Sequence, residues 1–119
     1  MGLKAVIVDD DPNMVQMLED SIPWDNYGIT EVESAYQGIQ ALEIIQDRSP
    51  DIVISDIEMP QLDGIQLVEK LQELDYRPEV IFLTCHDSFE YARKAINYGV
   101  SDYLLKPFRM DEFSAALLK

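Results

Sequence analysis

Short, wholly apolar runs alternate along this chain with longer stretches in which apolar residues recur every three or four positions. Ala5-Val6-Ile7-Val8, Ile52-Val53-Ile54 and Val80-Ile81-Phe82-Leu83 are continuous apolar runs. Such runs predict strands buried on both faces, as in a parallel sheet. Ile29 to Ala35 mixes apolar and polar residues and predicts a weaker strand near an edge. Tyr103-Leu104-Leu105 predicts a last strand ending at Lys106. Between the strands, helical spacing predicts helices over 13–22, 37–46, 62–74 and 88–98. The inward positions are Met14, Val15, Leu18 and Ile22; then Ala41, Leu42 and Ile45; then Leu67, Val68, Leu71 and Leu74. Pro23 stops the first helix, residues 24–28 form a turn, and Gly99 is placed to cap the fourth helix in a left-handed conformation. Asp111 is an N-cap for a last helix over 111–118. Five strands each followed by a helix predict an α/β domain, (βα)5 and doubly wound, with helices on both faces of a parallel sheet.

The chain has 119 residues, enough for one domain with its own core and no structural metal or disulfide. Its single cysteine, Cys85, permits no internal disulfide, reads as a small buried filler, and fits a reducing, cytoplasmic location. No apolar run approaches the ~20 residues that span a bilayer. The net charge is −14. That balance repels phosphate backbones and argues against direct nucleic-acid binding by these residues. It fits solubility, and equally a concentrated carboxylate site that attracts a cation.

The strand ends sharpen the second reading. Strand one ends in Asp9-Asp10-Asp11, strand three in Asp56, strand four in Thr84 and strand five in Lys106. An open parallel sheet binds ligands outside the carboxyl ends of its strands, so these residues converge on one edge. Singly, each has an ordinary explanation: Asp11-Pro12 is a good helix start, Thr84 can end a strand, and Lys106 can be a surface lysine. Together they form a chemical set. Clustered carboxylates repel one another, and a hard divalent cation such as Mg²⁺ relieves this with carboxylate, water and phosphate oxygens. A carboxylate is also a nucleophile toward phosphorus, and a metal, a lysine and a hydroxyl neutralise the transferred phosphoryl group.

Four motifs carry a family resemblance. Val8-Asp9-Asp10-Asp11, Ser55-Asp56-Ile57-Glu58-Met59-Pro60-Gln61-Leu62-Asp63-Gly64, Leu83-Thr84 and Asp102-Tyr103-Leu104-Leu105-Lys106-Pro107-Phe108 occur in this order. In order and spacing they resemble bacterial two-component response-regulator receiver domains, over essentially the whole chain. The resemblance implies a flavodoxin-like sheet in the order 2-1-3-4-5. It implies that Asp56 accepts a phosphoryl group from a sensor histidine kinase. Mg²⁺ would be held by Asp9, Asp10, Asp56 and the backbone carbonyl of Glu58. Lys106 would pair with the phosphoryl group, Thr84 would swing in to hydrogen-bond it, and Tyr103 would turn inward with Thr84. The Lys106–Pro107 bond would be cis, Gly64 would be structural, and Glu58 and His86 would tune phosphoryl lifetime across the site mouth, although His86 reads equally as an exposed loop residue.

Residues 24–28 (Trp24-Asp25-Asn26-Tyr27-Gly28) and Asp87-Ser88-Phe89-Glu90-Tyr91-Ala92-Arg93-Lys94-Ala95-Ile96 further resemble receivers joined to AraC-type helix-turn-helix output domains. Simple packing also accounts for Trp24, Tyr27, Phe89 and Tyr91. On this reading residues 1–119 are a receiver domain from the N-terminal part of a longer regulator, whose DNA-binding domain lies outside these residues. The face of the fourth helix, fifth strand and fifth helix would form a homodimer or dock the output domain, with Phe89, Tyr91, Arg93, Lys94 and Tyr98 as its candidates. The domain would catalyse only its own phosphorylation and dephosphorylation. Two other readings stay open. Asp9-Asp10-Asp11 resembles the Asp-x-Asp of haloacid-dehalogenase-type phosphatases, with Asp9 as nucleophile and Asp11 as acid/base; it leaves the Asp56 motif unexplained. The other is a phosphorylation-independent interaction module.

Overall fold

A computed structural model describes residues 2–57, 62–73 and 78–83 with their side chains, and residues 84 and 102–105 as backbone. Five strands form one parallel sheet: β1 (Leu3–Val8), β2 (Ile29–Ala35), β3 (Ile52–Asp56), β4 (Glu79–Thr84) and β5 (Asp102–Leu105). Their order is β2-β1-β3-β4-β5, as the resemblance implies. The three described α-helices are α1 (Pro12–Ser21), α2 (Gly38–Arg48) and α3 (Gly64–Leu71). The expected helices over 88–98 and 111–118 lie outside the described residues.

The strand side chains alternate between two cores, as pleating requires. Val6, Val8, Val53, Val80 and Phe82 face α2 and α3 and pack with Ala41, Ile45, Leu67, Val68 and Leu71. Ala5, Ile7, Ile54, Ile81 and Leu83 face α1 and pack with Val15, Leu18 and Ile22. Each helix is there because its apolar residues recur at three- and four-residue spacing and can be buried on one of these faces. Burial of strands on both sides explains why β1, β3 and β4 read as continuous apolar runs. β2, at the sheet edge, keeps Thr30, Glu31 and Glu33 exposed, which is why it read as mixed.

Local chemistry sets the ends. Asp11 caps α1, its carboxylate accepting the Asn13 N–H at 3.0 Å, with Pro12 in the first turn. Residues 24–27, expected as a turn, form one short 3₁₀ helix that Gly28 closes at φ 76°. The third helix starts later than expected, at Gly64 rather than Leu62. Asp63 takes the cap position: its carboxylate accepts the Gln66 N–H at 2.8 Å and the Gln66 side chain accepts the Asp63 N–H at 2.9 Å. Leu62 prolonged the apolar pattern because it too is partly buried, against the α2–α3 core. α2 runs to Arg48, past the expected end, and stops where Ser49 adopts a left-handed conformation at φ 48°.

Candidate phosphoacceptor and metal site

Register places the carboxylates. Val8, the last residue of β1, pairs with Ser55 on β3, so Asp9 and Asp56 are the next residues on adjacent strands. Asp56 pairs with Leu83 on β4, and Thr84 follows Leu83 and pairs with Leu105. The backbone of Thr84 therefore reaches the same edge of the sheet as Asp56. Asp9, Asp10 and Asp56 each offer a carboxylate oxygen, and these oxygens lie within 4.8 Å of one another. Asp9 is 1% exposed and Asp56 8% exposed, whereas Asp10 faces solvent.

Two of the three carboxylates are anchored by backbone amides. Asp9 accepts the Asp11 N–H at 2.9 Å, and Asp56 accepts the Ile57 N–H at 2.8 Å. The Asp9 amide donates to the Ala35 carbonyl at 3.1 Å, tying the end of β1 to the end of β2. The carbonyl of Asp56 accepts the buried Ser55 hydroxyl at 2.7 Å. Three carboxylates this close, two of them buried, carry mutual repulsion that a cation offsets. All donors are hard oxygens and one is open to water, so the set fits a small hard divalent ion bound directly or through water.

Asp11 leaves this cluster to cap α1. That arrangement does not suit the phosphatase-like reading, in which Asp11 would be the acid/base. Glu58, His86, Lys106 and Pro107 lie outside the described residues, as do the side chains of Thr84 and Tyr103. So do Cys85, Gly99, Asp111 and the five candidates of the expected docking face.

Gly64 stands at the first position of α3. A Cβ built there would come within 2.5 Å of the Asp56 carbonyl oxygen and 2.9 Å of Ile57 Cα. The Gly64 amide donates to the Ile57 carbonyl at 2.7 Å. The start of α3 thus sits directly against the Asp56–Ile57 peptide, and only glycine allows the approach. Sequence reasoning missed one contributor: Ser55, a polar residue inside an apolar strand, whose hydroxyl donates to the Asp56 carbonyl.

This sheet with an acidic cluster beyond β1 and β3 defines a class, and the comparison of sequences agrees. Residues 5–118 match the response regulator receiver domain, and the chain belongs to that family. It is a receiver domain of a two-component response regulator rather than a conventional enzyme. It is 41% identical over 104 residues to a response regulatory protein of Staphylococcus epidermidis, covering 87% of this chain and 41% of the relative. It is 40% identical over 104 residues to the transcriptional regulatory protein HptR of Staphylococcus aureus, covering 87% of this chain and 40% of HptR. The chain thus spans about two fifths of the length of these curated relatives. Among solved structures it is similar to the REC domain of AraT, a response regulator from Geobacillus stearothermophilus. That match has a TM-score of 0.90 and 31% identity, and covers 99% of this chain and 92% of that one. No helix among the described residues is long and apolar enough to cross a membrane.

Proposed function

We propose that this domain is the phosphoryl-accepting switch of a two-component phosphorelay, with Asp56 as acceptor and Mg²⁺ as cofactor. The observation that carries the reading is the meeting of Asp56 with Asp9 and Asp10 at the sheet edge, their oxygens within 4.8 Å. An Asp56 carboxylate oxygen attacks the phosphorus of a histidine kinase's phosphohistidine. The P–N bond breaks, its electron pair stays with the imidazole nitrogen, and an acyl phosphate remains on Asp56. The Ile57 N–H donates to Oδ1 and so fixes the orientation of the Asp56 carboxylate.

Asp9, Asp10, Asp56 and the Glu58 carbonyl would hold the metal. When bound, Mg²⁺ supplies positive charge to the phosphoryl oxygens. Lys106 pairs with the same oxygens, and the Thr84 hydroxyl donates to one of them. Phosphorylation adds charge beside Thr84 and Lys106, which favours the state with Thr84 and Tyr103 turned inward. That shift alters the face of the fourth helix, β5 and the fifth helix, which forms a homodimer or docks a transcriptional output domain. Glu58 and His86 set the lifetime by controlling water at the mouth. A cytoplasmic location, a sensor kinase as partner and an AraC-type output domain complete the reading. HptR, by its name a transcriptional regulator, is in keeping with such an output.

Intact and peptide mass spectrometry after incubation with Mg²⁺ and a small acyl-phosphate donor tests it. The expected result is one phosphoryl group on Asp56, dependent on Mg²⁺ and absent in Asp56→Asn. A phosphoryl group on Asp9 would favour the phosphatase-like chemistry, and no adduct would favour a phosphorylation-independent module.

A further inference from the structure

We infer that Gly38, at the start of α2, is a positioning residue for Asp56, acting through a stack of three backbone segments. The inference rests on the reading of Asp56 as phosphoacceptor. A Cβ at position 38 would overlap the Leu62 carbonyl oxygen and come within 2.9 Å of Leu62 Cβ and 3.0 Å of its carbonyl carbon. Leu62 leads through Asp63 into Gly64. Gly64 in turn presses on the Asp56 carbonyl and donates to the Ile57 carbonyl. Residues 62–64 are therefore wedged between the first turn of α2 and the Asp56–Ile57 peptide, and a side chain is missing on both contact faces.

Conformation does not demand the glycine at 38. Among the described residues, Gly28 is the glycine with positive φ. In a helix alanine is the better residue, so local propensity opposes glycine here. Space is the reason that remains. The obstructing atoms are the Leu62 carbonyl and the Cβ fixed to its backbone, and they cannot swing aside as the tip of a long side chain would. A methyl group at 38 pushes Leu62 away from α2 and toward the peptide it braces. Asp56 shifts with that peptide, while Asp9 and Asp10 follow β1, whose end is tied to Ala35 on β2. The carboxylate geometry loosens although no ligand has been changed.

The test compares Gly38→Ala with Gly28→Ala. Gly28 has φ 76° and nothing within 4 Å of its would-be Cβ, so its substitution strains the fold without crowding the site. It precedes β2, at the opposite end of the sheet from Asp56. Mg²⁺ affinity is read by calorimetry, phosphoryl incorporation from an acyl-phosphate donor by intact mass, and Tm by thermal melting. Gly38→Ala is expected to weaken Mg²⁺ binding and to slow phosphorylation, the latter by up to about a hundredfold, the cost of a misplacement of about 1 Å at a site built for oriented attack. Gly28→Ala is expected to lower Tm at least as far and keep both near wild type. Wild-type Mg²⁺ affinity in Gly38→Ala overturns the inference. So does an equal loss in Gly28→Ala, or a Gly38→Ala chain that does not fold, since the contact would then serve the fold and not the site. If the wild type binds Mg²⁺ but takes no phosphoryl group, the acceptor reading fails, and the Mg²⁺ arm still decides the role of Gly38.

Discussion

Asp9 has two tasks that a single substitution separates. Its Oδ1 accepts the Asp11 amide, and its charge completes the acidic cluster. Asp9→Asn keeps an oxygen for the amide, removes the charge and turns the other oxygen into an NH₂ donor. Charges about 4 Å apart interact by about 4 kcal/mol at an effective dielectric of 20, so the loss weakens cation binding by at least about tenfold. The same change removes repulsion in the metal-free protein. We therefore expect Asp9→Asn to lose most of the gain in stability that Mg²⁺ confers. For wild type that gain is about 2.7 kcal/mol at a hundred times Kd. Melting curves with and without Mg²⁺ check this, and an Asp9→Asn protein stabilised as much as wild type would refute it.

Elements owe their limits to single polar contacts, and this is where sequence reading was least complete. The ends of β3 and β4 were legible, because apolar runs and the residues that stop them coincide, and Ile29–Ala35 was legible as a mixed strand near an edge. The start of α3 was not, because Leu62 extends the apolar spacing while Asp63 caps the helix after it. The carboxylates of the site were legible as residues at strand ends. The backbone contact between Gly38 and Leu62 was not, since two segments remote in sequence meet there without any periodic signal. The reciprocal Asp63–Gln66 cap gives an element-scale prediction. Asp63→Ala removes the acceptor of the Gln66 amide and should lower stability by about 1 kcal/mol. Urea unfolding should show a lower midpoint with an unchanged slope. An unchanged midpoint would mean that packing of Leu67, Val68 and Leu71 holds α3 without its cap.

The whole molecule is strongly acidic, with a net charge of −14. The ion pairs Lys4–Glu31 at 4.0 Å, Arg48–Glu33 at 3.8 Å and Arg48–Asp47 at 3.6 Å are solvent-exposed and contribute little. Self-repulsion therefore opposes the folded state most when salt is scarce. The screening length falls from about 30 Å at 0.01 M salt to about 8 Å at 0.15 M. Tm should rise between these concentrations of KCl, with no Mg²⁺ present. A Tm that stays flat would mean that the charges are far enough apart to be indifferent to one another.

Because β2 lies at the sheet edge with Glu31 and Glu33 exposed, one rim of the molecule is guarded. A second copy adding its own β2 there would bring glutamates from both chains together, and like charges facing one another across a strand pair are unfavourable. Runaway fibril growth along this rim is thereby discouraged.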